Sequence, residues 1–377
     1  MGRQRWRLSV SLTRAVSIAC SAAFLCCACL VVAGCGSVDN TSHSLASSLK
    51  VNPPANPRAI TIGYVGVGDV LGERSAQMEA NTIRGLRKAG YTVRYFKSLS
   101  LNPQPQLEAM NRFVNEGVDV LLIDPQFSNS WTDMLVPITS GGVKAVFVDR
   151  KPIGIRPSRY SAYVGANNRQ LGTRAANAVV RELKLGEYED ESFEALSAPR
   201  TLVVSSFLGS TTDRDAFNGW EDVGSRFFAS VDQAVVGQDP DEALSAFRDS
   251  WEKLAEQGEL PHVIFATNTV AAQRTLKALT SLGVSIVGSA HEAMKKDSAL
   301  SASGEQGWNV AIVALGQKSW LEKSTHEGVV AYGVSLPDDY SPELTSILAN
   351  LMAGNAVAKD TSVAAQEFAS QAFSSQL

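Results

Sequence analysis

Residues 142–150 read Gly142-Val143-Lys144-Ala145-Val146-Phe147-Val148-Asp149-Arg150, an apolar run that stops abruptly at an acid and a base. An unbroken Val/Phe run without polar alternation predicts a strand buried on both faces of a parallel sheet. Asp149 and Arg150 then stand at its carboxyl end, the side on which open α/β sheets bind ligands. Together they offer two acceptors and a planar fork of donors, the equipment for holding neighbouring hydroxyls of a small polar molecule. A surface ion pair in a loop is the plainer alternative.

The same rhythm extends in both directions. Upstream, strands are expected over residues 60–67, 91–96 and 118–124, with helices over 73–90, 103–116 and 131–139. Downstream it starts again: strands over 201–207, 231–237, 261–266, 284–288, 310–315 and 329–334, and helices over 214–229, 242–257, 269–282, 319–326 and 342–352. Strands alternating with helices at this spacing imply right-handed crossovers and doubly wound parallel sheets, and two such units suggest two lobes with a cleft between them. Residues 186–198 and 291–307 read as loop segments.

The amino end differs from everything after it. Arg3, Arg5, Arg7 and Arg14 form a basic head, residues 15–34 are an apolar run, and Val32-Ala33-Gly34-Cys35 follows. A basic head and an apolar run make an export signal. Residues 36–58, rich in Ser, Asn and Pro, lack the apolar groups that would repay ordering and are expected to be a tether. All five cysteines lie at or before Cys35, so the exported chain has neither a disulfide framework nor a thiol metal site. Removing those four arginines from the 34 basic residues leaves 30 against 38 acidic ones, a net charge of −8 that repels phosphate backbones and excludes nucleic acid as a partner.

Other motifs carry less. Gly66-Val67-Gly68-Asp69-Val70-Leu71-Gly72 follows a strand and opens a helix, yet it has one residue too many before its third glycine, and no ribose-binding acid ends the next strand. His43, His262, His291 and His326 show no metal-ligand spacing, and no nucleophile elbow is present, so neither catalysis, a metal nor a cofactor is expected. Phe127, Trp131 and Trp220 fit either sugar stacking or core packing.

The ordered series Ile62-Gly63-Tyr64, residues 116–119, Ile123-Asp124-Pro125, Val148-Asp149-Arg150, residues 163–168, residues 209–214 and residues 265–268 resembles the type I periplasmic sugar-binding proteins of ABC importers, most of all the ribose and galactofuranose binders. The likeness runs from about Ala59 to Gly354. It implies two doubly wound parallel-sheet lobes joined by three hinge crossings, near residues 165–167, near residues 333–336, and after Asn355. The implied division is a signal over 1–35, a tether over 36–58, a first lobe of 59–165 plus 337–356, and a second of 166–336 plus 357–377. Val32-Ala33-Gly34-Cys35 resembles a bacterial lipobox, which implies lipid on Cys35 and anchorage at the outer face of the cell membrane.

Carried over position by position, the resemblance implies ligand contacts from Asp149, Arg150, Asn168, Arg214 and Asn268. It also marks departures. Gly316 stands where the family places an acid, Ser335 where it places a Gln or Glu, and residues 69–74 lack the usual stacking aromatics. Small residues at 316 and 335 suggest extra room and a larger or differently substituted sugar. The implied function is delivery of a mono- or oligosaccharide to an ABC permease by hinge closure, with no reaction catalysed; the alternatives are a sensory lipoprotein of the same fold and an exported α/β enzyme.

Overall fold

The structure is a computed structural model; it describes residues 60–127, 131–186, 198–206, 210–237, 239–295 and 308–377. The export signal, the tether and Cys35 lie outside the described residues, as does most of the two expected loop segments.

Five strands and four helices alternate first: β1 (Thr61–Gly66), α1 (Glu73–Lys88), β2 (Thr92–Lys97), α2 (Gln104–Asn115), β3 (Val120–Ile123), α3 (Trp131–Met134), α4 (Val136–Ser140), β4 (Lys144–Val148) and β5 (Ala162–Gly165). The strands pair in parallel, and the deciding run is β4, between β3 and β5. Side chains alternate across a strand, so Val146 and Val148 enter one core with Met78 and Leu86 of α1, while Ala145 and Phe147 enter the other with Met110 and Phe113 of α2. That double burial is why the run shows no polar alternation. The helix expected over 131–139 is two short ones, α3 and α4, with Pro137 in the first turn of the second.

The second half comprises α5 (Asn168–Glu182), β6 (Arg200–Ser205), α6 (Thr211–Phe227), β7 (Ser230–Val235), α7 (Pro240–Gln257), β8 (Val263–Ala266), α8 (Thr269–Ser281), β9 (Ser285–Val287), α9 (Ala290–Met294), β10 (Asn309–Gln317), α10 (Lys318–His326) and β11 (Tyr332–Leu336). Local chemistry sets the helix ends. Asp239 caps α7 by accepting from the amides of Asp241 and Glu242, Pro240 opens the first turn, and Gly258 closes the helix at φ 71°. The chain finishes with α11 (Ser341–Met352), β12 (Asp360–Ser362), β13 (Glu367–Ala369) and α12 (Gln371–Ser374).

Two sheets result. The first runs β12-β5-β4-β3-β1-β2; the second runs β13-β11-β10-β8-β6-β7, with β9 beside β10. Among the described residues every strand pairing is parallel except β11 with β13. The chain passes between the sheets after β5, after β11, and between β12 and β13. This last passage corrects the expected division at residue 357, because Asp360, Thr361 and Ser362 pair with Tyr163, Val164 and Gly165 of the first sheet. A short polar edge strand has no hydrophobic pattern and exists only through its backbone ladder. The passages bond to one another: the Val363 amide donates to the Gly165 carbonyl (3.0 Å), and Ser335 and Gln366 exchange two bonds.

Candidate functional site

A cavity of about 110 Å³ lies at the carboxyl ends of both sheets, bounded by the β1–α1 turn and β4 on one side and by the starts of α6 and α8 on the other. On this measure one water needs roughly 10–15 Å³, so the space suits a single sugar ring better than a chain of them.

Asp149, Arg150, Asn168 and Asn268 all border the cavity. Asp149 directly follows β4 at φ 63°, a left-handed conformation that Asp tolerates better than most residues. Its carboxylate accepts from both terminal nitrogens of Arg74 (2.8 and 3.1 Å) and from the Tyr340 hydroxyl (2.7 Å). Arg74 also donates to the Pro337 carbonyl at 2.7 Å, tying the start of α1 to the chain's second passage between the sheets. Arg150 sends one nitrogen to both oxygens of the fully buried Asp124 (2.7 and 2.9 Å) and another to the Ser75 hydroxyl at 3.0 Å.

Burial works against the charge on Asp149, but Arg74 and Arg150 prevail and hold its carboxyl well below the ordinary range. Burial pushes the Asp124 carboxyl up, against the pull of Arg150. The wall is therefore a network of two arginines and two aspartates that largely satisfy one another. It presents fixed, preorganised dipoles rather than a lone charge. Behind it the buried Glu79 accepts from the Val67 and Gly68 amides (2.6 and 3.0 Å) and so pins the turn after β1.

Opposite, Asn268 caps α8 through its oxygen, which accepts from the Ala271 amide at 2.9 Å. Its amide nitrogen donates to Ser206 (2.8 Å) and to Asp213 Oδ1 (3.0 Å). Asn168, in the first turn of α5, donates to the Ala166 carbonyl at 3.3 Å.

Arg214 is a correction. It does not border the cavity; its guanidinium is half exposed and pairs with Asp215 at 3.0 Å, while the neighbouring Asp213 faces the cavity wall. Successive residues on a helix point about 100° apart, so a one-residue difference in phase exchanges an inward position for an outward one.

The room expected at 316 and 335 is corrected too. A Cβ on Gly316 would come within 2.8 Å of the Thr269 hydroxyl, so that position faces the start of α8, and Gln317 borders the cavity instead. Ser335 is buried, and its hydroxyl accepts from the Gln366 amide at 2.9 Å. Phe127 stacks on Trp131 with ring centres 5.0 Å apart and borders the cavity; Trp131 and Trp220 are core residues.

Arg74, Asp124, Asp213 and Tyr340 received no ligand role from the sequence. Asp124 lies in a quoted strand-end motif, which is a usable signal. Arg74 and Tyr340 meet Asp149 across 75 and 191 residues, which only the fold brings about.

The model of the periplasmic binding protein domain matches residues 75–311. The chain belongs to the periplasmic binding protein family. This binding protein is 23% identical over 275 residues to the fructose import binding protein FruE of Bifidobacterium longum, covering 72% of this chain and 75% of that protein. To the D-xylose-binding periplasmic protein of Escherichia coli it is 22% identical over 256 residues, 66% and 71% of the two chains.

Among solved structures, the arabinose transporter component of a Shewanella species, bound to L-arabinofuranose, superposes with a TM-score of 0.66 at 16% identity, covering 84% and 94% of the chains. A Mycobacterium smegmatis protein in complex with β-D-fucofuranose does so with a TM-score of 0.64 at 17% identity and the same coverage. At such identities these structures speak for the fold alone. They agree with the two-sheet fold.

Proposed function

We propose that this binding protein takes up a single sugar in the cavity between its two sheets and delivers it to an ABC importer by hinge closure. The observation that carries the reading is the Arg74–Asp149–Arg150–Asp124 network at one wall, facing Asn168 and Asn268 at the other. Groups held this rigidly bind hydroxyls with little ordering cost, which is how a small polar ligand gains affinity. The curated relatives named for fructose and xylose point to the same ligand class. Closure needs only that the passages near residues 165–167, 336–340 and 363–366 flex while each sheet moves as a body. The reading requires no reaction.

The test is a thermal-shift and calorimetric panel of fructose, xylose, arabinose, galactose and ribose. A sugar at ~100 times its dissociation constant adds about 2.7 kcal/mol of stability, and small-angle scattering should then record a smaller radius of gyration. Absence of binding across the panel contradicts the sugar reading; binding without any change in the scattering profile contradicts closure.

Lipid anchorage through Cys35 is part of the proposal and rests on Val32-Ala33-Gly34-Cys35 behind a basic head and an apolar run. Cys35→Ser should abolish acylation and move the protein out of the membrane fraction or leave its precursor uncleaved. A wild-type protein that is soluble, with no lipid on Cys35, would overturn the anchor while leaving the sugar site untouched.

A further inference from the structure

The cations in the cavity wall are each bound to a carboxylate of their own. Arg74 is paired with Asp149 at 2.8 Å, Arg150 with Asp124 at 2.7 Å, and Lys151 with Asp360 at 2.7 Å. A carboxylate or phosphate entering from solvent would have to compete with a protein carboxylate for each of them, and at Arg74 with a preformed bidentate pair.

From the other side the charged group met is acidic. Asp213 borders the cavity, is 5% exposed, and lies in the first turn of α6, where the helix dipole favours a negative charge. Its orientation is imposed: the Asn268 amide donates to Oδ1 at 3.0 Å while Asn268 itself is fixed by capping α8 and by Ser206. A carboxylate has about four acceptor sites, so one that borders the cavity can hold protein donors such as Asn268 and still accept from a ligand.

We propose that Asp213 is the specificity-determining acceptor of the second wall, gripping ligand hydroxyls and excluding sugar acids and sugar phosphates. The inference rests on the sugar reading above and sharpens it. Asn268 is then a positioning residue, holding the acceptor in place, and Arg214 on the outer face has no part in recognition. The selected class is the uncharged monosaccharide that presents at least one hydroxyl to each wall. Rejection of acids follows from like charge at Asp213 together with the committed cations, a repulsive element as well as an attractive one.

Calorimetry on the full exported chain separates the possibilities. The probes are fructose, xylose, galactose, galacturonate and galactose 6-phosphate, and the proteins are wild type, Asp213→Asn, Asp213→Ser and, as an outer-face control, Asp215→Asn. The wild type should bind a neutral member and show at least tenfold weaker binding of both acidic probes. Asp213→Asn should weaken the neutral sugar about ten- to hundredfold, the worth of one charged hydrogen bond, and narrow the gap to galacturonate, with its melting temperature close to wild type. Asp213→Ser should do the same, and Asp215→Asn should change nothing. Neutral binding unchanged in both Asp213 variants overturns this proposal alone, as does wild-type galacturonate binding as tight as that of galactose. Failure of the wild type to bind any probe overturns it together with the sugar reading.

Discussion

Replacing Asp149 with alanine is expected to cost about 3–5 kcal/mol of folding stability, the range for removing one member of a buried ion network, and to abolish ligand binding with it. The carboxylate is the acceptor for both terminal nitrogens of Arg74 and for the Tyr340 hydroxyl. Without it those donors stay buried and lose the carboxylate, Arg74 keeps the Pro337 carbonyl, and its charge is uncompensated. Alanine would also have to hold the left-handed backbone at φ 63°, a further cost of roughly 1–2 kcal/mol.

Graded variants make the argument sharper. Asp149→Asn keeps an acceptor and tolerates that backbone, so it should fall between wild type and alanine. Tyr340→Phe removes one hydrogen bond and should cost about 1 kcal/mol. Denaturant unfolding measures all three. A loss below ~1 kcal/mol for Asp149→Ala, less than one net hydrogen bond, would mean that this pair does not hold α1 against β4 and the second passage.

The second large effect concerns backbone rather than charge. Gly219→Ala should destabilise the protein by more than about 3 kcal/mol, beyond the usual range of an overpacked side chain. A Cβ at 219 would lie 1.9 Å from the Arg169 carbonyl oxygen, and one at Gly172 would lie 2.0 Å from that of Ala216. Helices α5 and α6 therefore touch backbone to backbone, and Thr173 completes the contact by donating to the Gly219 carbonyl at 3.1 Å. In an isolated helix the same change would stabilise by up to about 1 kcal/mol, so tertiary packing reverses its sign. Parting the helices would also displace Asn168 and Asp213 in their first turns, and ligand affinity should fall with stability. Gly141→Ala is the control: its Cβ would sit 3.4 Å from the nearest atom, at an ordinary φ of −76°, and little change is expected. A midpoint for Gly219→Ala close to that of Gly141→Ala would mean that the two helices separate without penalty.

The strands at the cavity are legible in the chain's own pattern. The runs of β1, β3 and β4, and those of β6 and β8, are buried on both faces, so their interior positions are mainly apolar for a physical reason, with Lys144 and Arg200 only where β4 and β6 begin, and their alternation with helices implies parallel sheets. From the same source came the ligand side of each sheet and the strand-end pair Asp149 and Arg150. Nothing in the pattern marks β12 and β13, whose short polar segments hold their places only by pairing with β5 and β11. The helix α5 also escaped the strand-and-helix reading; its capping residue Asn167, which accepts from the Gln170 amide, lay in the stretch assigned to the first hinge.

What Asp149 and Arg150 touch is set by the folded packing. Local sequence places an acid beside a base, but Arg74 and Tyr340 reach Asp149 from α1 and the start of α11, and Asp124 reaches Arg150 from the neighbouring strand. That Asp213 rather than Arg214 borders the cavity likewise turns on the phase of α6, fixed by how Gly219 and Trp220 seat that helix on α5 and the second sheet. Burial patterns are written along the chain because each residue meets solvent or core on its own; charge pairing is not, because a carboxylate's partner is whichever donor the fold brings within about 3 Å.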